Sequence, residues 1–515
     1  MSSAEALLDG GGAARRRVRV SVDDALARHA GEFGRWQLRH FVLVSSAWLL
    51  EALHTMVVIF ADRQPAMVCA AGDVGGGDRR CDPCAATGWE WADGPASASS
   101  TVSEFGLVCG ERYKVGLVQA IFFAGCMIGA GVFGHLSDSF LGRKGSLQVV
   151  CVLNGVFGIL TALSPNYWAY AALRLLTGFS AGSVGLCSFV LATEPVGPSR
   201  RGAAGMSTFY FFSGGIAALA GIAAMFQSSW RMLYVVTSVP SIVFVVAVLP
   251  FVSESPRWFL VRRRADDAMR VIRAIAHGNG RTVPDDVTLK LDDEGDDGVG
   301  GDNSVDSSSS SGSIIDVFRS RTTRFRLVLS VVINLLASVV YYGLSLNVVN
   351  LKTNLYVSVV VNSLAELPAY LLTALLLDHL GRKPLAIGTM LLSGVFCSAG
   401  SLVAGAGAMR VLRLACGVVG IFGMAATYNL LFIYTAELFP TVVRNAALGC
   451  TSQASQMGAI LAPLVVLLGE RVPFALFGVS GLVGGMLVFC LPETKNKPMY
   501  DTMAGLEEGE KILLK

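Results

Sequence analysis

Charge is what this sequence has least of. Only 15% of its 515 residues are Asp, Glu, Lys or Arg, whereas a soluble chain carries about 25%. Hydrophobic residues make up 53% and the mean hydropathy is +0.56, so the composition argues against a water-soluble protein. The net charge of +3 gives no indication of a polyanionic partner, and we expect no nucleic acid to bind.

Histidine is also scarce, with six residues scattered along the chain. The sequence has neither the His-Glu-x-x-His pattern of zinc hydrolases nor the Walker loop of nucleotide hydrolases. No nucleophile motif stands in a suitable context either. These absences predict a protein that is not an enzyme and that has no cofactor and no metal site.

Long apolar runs are what the sequence has in abundance. A helix of about 20 mainly apolar residues crosses the ~30 Å hydrocarbon core, because it satisfies its own backbone where water is absent. Such a lipid-facing chain needs a bilayer as its surroundings. We predict an all-α polytopic membrane protein with twelve transmembrane helices. The twelve windows lie near residues 38–61, 113–134, 146–164, 167–190, 203–226, 230–252, 324–347, 353–377, 385–405, 409–433, 445–468 and 473–491.

Short polar motifs recur about 240 residues apart, which indicates an internal repeat. A parallel repeat of two mostly apolar units is typical of secondary transporters built from two bundles, with the substrate site between them. We therefore predict two pseudo-symmetric six-helix bundles, 38–252 and 324–491. The paired motifs are Gly-Arg-Lys at 142–144 and 381–383, Leu-Arg-Leu at 173–175 and 412–414, Thr-Glu-Pro at 193–195 and Ala-Glu-Leu at 436–438, and Ser-Glu-Ser-Pro at 253–256 and Leu-Pro-Glu at 491–493.

Polar segments divide the chain further. They are an N-terminal segment 1–37, a loop 61–112 after the first helix, a linker 253–323 and a tail 492–515. Within the linker, residues 262–281 have helical apolar spacing and are predicted to lie on the inner face of the membrane. Residues 292–311 are acidic and Ser-rich, so we expect a disordered linker; phosphorylation of this stretch is the alternative.

Basic residues concentrate in alternate loops, and such loops face the cytoplasm. Both termini are therefore predicted to be cytoplasmic, and loop 61–112 is predicted to be extracytoplasmic. Residues 1–35 have no apolar core, so we expect no cleavable signal peptide. The basic residues of these loops are Arg143, Lys144, Arg200, Arg201, Arg262, Arg263, Arg264, Arg382, Lys383, Arg444, Lys495 and Lys497.

Four of the eleven cysteines lie in loop 61–112, on the predicted oxidising side. Two disulfides there would brace a Gly- and Asp-rich loop that has little core of its own. Cys81 and Cys84 have the spacing of a zinc site, but the loop has no histidine, so disulfides are favoured. The disulfide candidates are Cys69, Cys81, Cys84 and Cys109.

Acidic and basic residues surround each repeated Gly-Arg-Lys turn. Charge pairs at such turns hold the inner gate of an alternating-access carrier shut and separate as the bundles rock. The alternative is that the basic residues only set topology, which we favour for Lys144 and Lys383. The predicted latch residues are Asp138, Gly142, Arg143, Glu194 and Arg201 in the first half, and Asp378, Gly381, Arg382, Glu437 and Arg444 in the second.

Polar and aromatic side chains within the predicted helices suggest a substrate cavity. Glu366 lies mid-helix, where an acid costs about 2.5–3.5 kcal/mol unless a cation, a proton or a packing partner offsets it. Glu51 is a second such acid, and Arg174 and Arg413 are repeat-related cations that could equally snorkel. Aromatic faces attract organic cations, although most membrane aromatics only pack. The aromatic candidates are Tyr341, Tyr342, Tyr210, Phe211 and Tyr428.

Several strings resemble the major facilitator superfamily, and within it the organic cation/carnitine transporters of plants. These strings extend over nearly the whole chain. They are Phe60-Ala-Asp-Arg-Gln-Pro65, Asp138-Ser-Phe-Leu-Gly-Arg-Lys144, Glu254-Ser-Pro-Arg-Trp258, Tyr434-Thr-Ala-Glu-Leu-Phe-Pro440 and Pro492-Glu-Thr494. The resemblance implies the major facilitator fold and a carrier for small organic cations or zwitterions such as carnitine. It implies either uniport or symport with a proton or sodium ion, in the plasma or the vacuolar membrane.

One position departs from some animal relatives, which carry an acid in helix 11 that attracts the cation. Here the residue is Gln456, whose neutral amide donates and accepts hydrogen bonds. Gln456 is therefore a cavity candidate that suits a zwitterion or a neutral polyol as well as a cation. A sugar or polyol carrier, and a nutrient receptor that moves nothing, remain the alternative functions.

Overall fold

The computed structural model describes residues 18–69, 84, 89–91, 99–289, 317–318, 320–403, 405, 407–495 and 506, without the side chains of 68, 69, 89, 378, 441, 442 and 445. The predicted disordered stretch 292–311 and most of the tail lie outside these residues. So does Cys81.

Twelve long helices account for most of the described chain. They are α1 (Arg35–Ala61), α2 (Tyr113–Leu136), α3 (Gly142–Ala162), α4 (Tyr167–Thr193), α5 (Pro198–Met225), α6 (Trp230–Phe251), α7 (Arg321–Leu346), α8 (Leu355–Leu380), α9 (Arg382–Leu402), α10 (Ala408–Leu438), α11 (Thr441–Val466) and α12 (Val472–Val488). Short breaks at Ser46 and Val57 divide α1, and Thr208 interrupts α5.

These helices match the twelve apolar windows to within a few residues. Among the described residues, nine segments are long and apolar enough to cross a membrane, and the longest, Cys109–Ala162, contains both α2 and α3. The shorter apolar helix α12 and the helix α11 complete the set. The predicted all-α fold of twelve helices is confirmed, with six helices on each side of the linker.

Close helix contacts build each bundle and join the two. Within the bundles α2 packs on α4 and α7 packs on α11, while α2 also meets α11 and α5 meets α8 across the bundle interface. The crossing of α2 and α4 depends on glycine: a Cβ at Gly129 or Gly178 would collide with a backbone carbonyl of the other helix. Small residues at such crossings let membrane helices approach closely.

The two ends of the molecule differ, and we name them by their contents. The latch end holds the repeated turns that begin at Gly142 and Gly381. The loop end holds residues 62–69, 84, 89–91 and 99–112 and the connections α3–α4, α5–α6, α7–α8, α9–α10 and α11–α12. The α7–α8 connection includes the 3₁₀ turn Asn347–Leu351.

At the loop end, strand Met67–Cys69 pairs antiparallel with Trp89–Trp91, with Met67 opposite Trp91. The helix Thr101–Phe105 follows and is capped by the Ser100 hydroxyl, and a 3₁₀ turn Cys109–Glu111 leads into α2. Cys84 and Cys109, two of the four candidate cysteines, form a disulfide. The side chain of Cys69 is not among those described.

At the latch end, the N-terminal residues and the start of the linker form a small unit that we call the clasp. Strand Val18–Val20 pairs in parallel with Val287–Leu289. The turns Val22–Ala25 and Leu26–Ala30 pack on helix Ala265–Gly278, which follows helix Pro256–Val261. Leu26, Ile272 and Ile275 are fully buried in this unit.

The clasp corrects the prediction that residues 262–281 lie against the membrane. The apolar face of Ala265–Gly278 is buried against residues 18–30 instead. Val20, Val22 and Leu26 of the N-terminal segment supply the apolar partners. The hydrophobic face predicted from spacing is therefore real, and its partner is protein.

Candidate functional site

A cavity of about 340 Å³ lies between the two bundles. Helices α1, α2, α4 and α5 form one wall, and α7, α10 and α11 form the other. The structure brings four sequence candidates together on these walls, namely Tyr341, Tyr342, Tyr428 and Gln456. We call this space the central cavity.

Three tyrosines make a continuous aromatic surface in the central cavity. Tyr341 stacks on Tyr428 with ring centroids 5.1 Å apart and planes 16° from parallel. Tyr342 meets both rings edge-on, at 5.2 and 6.2 Å. It also contacts Phe123 of the other bundle at 4.8 Å. Fixed ring faces of this kind attract a positive charge once water is excluded.

Glu51 of α1 supplies negative charge to the same space. Among the described residues that line the central cavity, it is the only Asp, Glu, Lys or Arg. Its Oε2 atom is buried and has no side-chain hydrogen-bond donor within the described part of the chain. Gly185 of α4 lies against the carboxylate, where any side chain would collide with it. A buried carboxylate without a cationic partner can be neutralised by a cationic ligand.

Glu366, the other candidate acid, lies behind the cavity wall and is 1% exposed. Its Oε2 accepts hydrogen bonds from the hydroxyls of Tyr341 at 3.3 Å and Tyr370 at 3.1 Å, and from Ser213. Ser213 belongs to α5 and the tyrosines to α7 and α8, so the carboxylate joins the two bundles. Neighbouring hydroxyl groups therefore offset the cost of burying this acid.

The two α5 candidates do not reach the cavity wall. Tyr210 packs edge-on against Tyr370 at 5.6 Å, and Phe211 packs against Phe41 at 6.3 Å. Phe209 and Phe212 line the cavity instead. Successive helical residues are about 100° apart around the axis. The aromatic run at 209–212 thus covers every face of α5, and the sequence alone does not select the cavity side.

The first latch is built around Arg143. Its guanidinium pairs with Glu194 at 3.2 Å and with Asp138 at 2.9 Å, and donates to the Ser137 carbonyl at 3.0 Å. Glu194 is 15% exposed, whereas Asp138 is 73% exposed. Exposed pairs contribute only about 0–1 kcal/mol, so Glu194 is the main partner of Arg143 and Asp138 is secondary.

The second latch repeats this arrangement with Arg382 and Glu437. The guanidinium makes three hydrogen bonds of 2.9–3.1 Å to the two carboxylate oxygens, and both side chains are less than one-fifth exposed. Thr494 donates to the same carboxylate at 2.6 Å. A bidentate Arg–carboxylate pair of this kind fixes geometry as well as charge. The side chain of Asp378 is not described.

Each latch has a further acid that the sequence analysis did not include. Glu254 accepts from the backbone N–H groups of Arg143 and Lys144 at 3.1 Å, and Glu493 does the same for Arg382 and Lys383 at 3.0 Å. Each carboxylate thereby caps a helix N-terminus, where the helix dipole favours negative charge. Both belong to the repeated motifs at 253–256 and 491–493, so the repeat itself was the available signal.

Glycine is required where these acids approach. Gly142 and Gly381 have φ of +76° and +95°. A Cβ at Gly142 would collide with Glu254, and a Cβ at Gly381 would collide with Glu493.

Burial raises the pKa of Glu254 despite its N–H donors. At Glu493 burial also acts to raise the pKa, but the N–H groups of Lys495, Arg382, Lys383 and Thr494 outweigh it and the pKa is lowered.

Arg201 and Arg444 lie apart from the Arg–Glu pairs of the latches. Arg201 pairs with Asp23 of the clasp at 2.6 Å, and Asp23 also binds Arg257. Burial acts to raise the pKa of Asp23, but these two guanidinium groups outweigh it and hold the pKa below its usual value. Arg444 donates from Nε to the Ala436 carbonyl at 2.8 Å. The described partners of Arg201 are therefore Asp23 and the Val196 carbonyl, and its part in the first latch stays a prediction.

The described latch pairs lie within single bundles. Arg143, Glu194 and Glu254 belong to the first bundle, and the Arg382–Glu437 pair belongs to the second. This differs from the expectation of charge pairs that break when the bundles separate. Each latch instead fastens the ends of three helices within one bundle.

The repeat-related arginines also have defined partners. Arg174 is fully buried, donates to Gln119 at 2.8 Å and to the His54 carbonyl at 3.1 Å, and lies 4.1 Å from the centre of the Phe122 ring. Arg413 pairs with Glu470 at 3.0 Å. Neither side chain snorkels, because each is held by internal hydrogen bonds.

A cavity between two similarly built six-helix bundles, with one acid and a wall of tyrosines, defines a solute carrier of the two-bundle class. Residues 91–504 match the family model described as "Sugar (and other) transporter". The chain is 62% identical to "Organic cation/carnitine transporter 4" of Arabidopsis thaliana, covering 96% of this chain and 92% of that protein. It is 35% identical to "Organic cation/carnitine transporter 3" of the same plant, covering 96% and 95%.

A third relative is the "Organic cation transporter protein" of Drosophila melanogaster, 31% identical over 95% of each chain. Among solved structures, the xylose transporter XylE from E. coli is 17% identical, with a TM-score of 0.62 over 90% of this chain and 100% of that chain. That likeness supports the fold alone. The protein belongs to the sugar (and other) transporter family of the major facilitator fold, in the branch of the organic cation/carnitine transporters.

Proposed function

We propose that the protein carries small organic cations, or zwitterions with a quaternary ammonium group such as carnitine, by alternating access. The central cavity supports this most directly, because it places the Glu51 carboxylate, which has no cationic partner in the described part of the chain, and three tyrosine rings around one space. Each ring face attracts a desolvated cation by about 0.5–2 kcal/mol. The volume suits a small solute, since cavities for drug-sized ligands occupy about 300–1,000 Å³.

A neutral polyol or sugar is the second candidate substrate. Helix α11 lines the cavity with Thr451, Ser452, Ser455 and Gln456, which offer hydroxyl and amide groups without charge. These groups suit a polyol, but a polyol leaves the Glu51 charge unmatched. The charge therefore favours a cationic group, and the polar wall of α11 accommodates the rest of a zwitterion.

Alternating access requires contacts between bundles that change as the bundles rock. At the latch end Phe189 meets Phe432 at 5.7 Å, and at the loop end Phe60 stacks on Tyr356 at 5.3 Å. The Ser213–Glu366 hydrogen bond lies between them. Because each described latch pair stays within one bundle, we expect cross-bundle contacts such as these three to open and close as the bundles rock.

We assign the latch end, with both termini, to the cytoplasm. Most of the described loop arginines and lysines lie at that end, and the disulfide Cys84–Cys109 lies at the other. An epitope tag at either terminus is expected to be cleaved by protease only after cells are permeabilised. Cleavage on intact cells would reverse the assignment.

The membrane is the plasma or the vacuolar membrane, and imaging of the tagged protein in plant cells distinguishes the two.

The role of Glu51 is tested by Glu51→Gln. This change keeps the shape and removes the charge, so uptake of a quaternary ammonium should fall by about tenfold or more through a raised KM, equivalent to about 1.4 kcal/mol. The measurement is radiolabelled choline uptake in vesicles.

Tyr341→Ala should raise the KM for choline more than Tyr341→Phe, because only alanine removes the ring.

The matched control is Glu111→Gln, which makes the same change at an exposed carboxylate paired with Lys114. Its uptake should equal that of the wild type. Unchanged choline kinetics in Glu51→Gln would remove the cation from the proposal and favour the polyol.

A further inference from the structure

A second cavity, of about 370 Å³, lies between the bundles at the loop end. The ends of α1, α7 and α11 and the starts of α2 and α8 surround it, and most of its wall is aliphatic. Three charged side chains line it, namely Asp62, Arg63 and Arg112. We call it the outer cavity, and nothing described above uses it.

Asp62 is the buried charge of the outer cavity, with 7% of its surface exposed. Its Oδ1 accepts hydrogen bonds from the Thr101 hydroxyl at 2.5 Å and the Tyr170 hydroxyl at 2.9 Å. Its Oδ2 is buried and has no hydrogen-bond partner within the described part of the chain. The nearby Arg174 donates to Gln119 and the His54 carbonyl instead. Oδ1 is thus held by two hydroxyl groups, while Oδ2 has no hydrogen-bonded cation within the described part of the chain.

The two arginines have a different environment. Arg63 donates to the Gln227 carbonyl at 2.9 Å and to the Tyr356 hydroxyl at 3.4 Å, so its charge is oriented but not neutralised. Arg112 is exposed at the start of α2, and the described residues include no acid paired with either guanidinium. The outer cavity therefore combines one buried acid, Asp62, with two cations, Arg63 and the exposed Arg112.

This pattern selects against ligands of a single charge. A simple cation that reaches Asp62 has to pass two positive charges, and a simple anion that reaches the arginines meets the Asp62 carboxylate. A zwitterion with separated charges matches both groups. Its alkylammonium end also suits the aliphatic wall formed by residues such as Val58, Ile59 and Leu346.

We propose that the outer cavity is a second, outer binding site for a small zwitterion. The quaternary ammonium contacts Asp62, and the carboxylate lies toward Arg63 and Arg112. The site concentrates the substrate before it passes to the central cavity. This inference rests on the proposed function for its transport consequence, although binding at the outer site can be measured without transport.

The transport test compares carnitine, which is zwitterionic, with choline, which lacks the carboxylate. Asp62→Asn keeps Oδ1 as an acceptor for Thr101 and Tyr170 and removes only the charge. It should raise the KM for carnitine about fivefold or more and leave the maximal rate within about twofold. Arg112→Gln, at an exposed position, should raise the KM for carnitine and not for choline.

The control is Glu111→Gln, which removes an exposed carboxylate that is paired with Lys114 and lies outside the wall of the outer cavity. Its KM for both substrates should match that of the wild type. Equal effects of Arg112→Gln on choline and carnitine would overturn the zwitterion site, as would an unchanged carnitine KM in Asp62→Asn. Because Arg112 is exposed, its variant remains informative where Asp62→Asn lowers the yield of folded protein.

A binding test separates failure of the outer site from failure of the proposed function. Radiolabelled carnitine is bound to purified Glu51→Gln protein, in which the central cavity lacks its charge. Saturable binding that disappears in Glu51→Gln/Asp62→Asn supports the outer site even when no flux is found. Binding that is identical in the single and double variants overturns the outer site, whether or not the wild type transports carnitine.

Discussion

Replacing Arg382 with glutamine is expected to abolish uptake and to lower the thermal stability of the protein. The change leaves Glu437 without its cation at a position where only about one-eighth of the side chain is exposed. Breaking a fully buried pair costs about 3–5 kcal/mol, whereas breaking an exposed pair costs about 0–1 kcal/mol. The Arg382–Glu437 pair is mostly buried, so the cost here should exceed that of an exposed pair. The measurements are carnitine or choline uptake in vesicles and the melting temperature of the purified protein.

The neighbouring residue provides the control. Lys383 is half-buried, and its exposed Nζ donates only to the Phe489 carbonyl among the hydrogen bonds described, so Lys383→Gln should keep uptake near the wild-type rate. Arg382→Lys keeps the charge and loses the bidentate contact, and should be intermediate. Wild-type uptake and melting in Arg382→Gln would contradict the role assigned to the second latch.

Replacing Glu366 with alanine is expected to lower the maximal uptake rate at least tenfold while the protein still reaches its membrane. Alanine removes the one acceptor shared by Ser213, Tyr341 and Tyr370, and each stranded buried hydroxyl costs about 1–3 kcal/mol. It also removes the hydrogen bond between the bundles. The rate should fall more than KM rises, because Glu366 lies outside the central cavity.

Glu366→Gln distinguishes the charge from the hydrogen bonds. Its amide oxygen still accepts from the three hydroxyls, so a structural role predicts partial uptake with the wild-type pH profile. Ser213→Ala is the matched change from the other bundle, and it should lower the rate in the same direction. A rate unchanged in both Glu366→Ala and Ser213→Ala would show that this cross-bundle contact has no part in transport.

The helices were predictable from sequence because each needs about 20 apolar residues to span a bilayer, and that requirement leaves a direct signal in composition. The repeated turns were predictable for a similar reason. Only glycine adopts the backbone of Gly142 and Gly381 beside an acid without strain, so the motif is confined to a few residues.

The functional side chains were less predictable, since their roles depend on which way each helix is turned. Tyr341, Tyr342 and Tyr428 reach the central cavity, while Tyr210 and Phe211 face other helices one or two residues away from the wall. The acids show the same dependence. Glu366 and Glu51 have similar sequence surroundings, but only Glu51 lines the space that a substrate can occupy.

Partners that are distant in sequence were beyond prediction. Asp23 reaches Arg201 and Arg257 only because residues 18–30 fold onto the linker. The restriction of each Arg–Glu latch pair to a single bundle is likewise a property of the packing. The basic residues in alternate loops indicate the orientation of the helices, but they do not predict which carboxylate pairs with which guanidinium.

The central claim is that this chain moves a quaternary ammonium solute through the central cavity. The most direct test is uptake by proteoliposomes of the purified protein, comparing radiolabelled carnitine, choline and a sugar, with and without an inward proton or sodium gradient. We predict flux of carnitine or choline, and its response to each gradient assigns uniport or symport. Flux of the sugar alone, or binding of carnitine without flux, would contradict the claim.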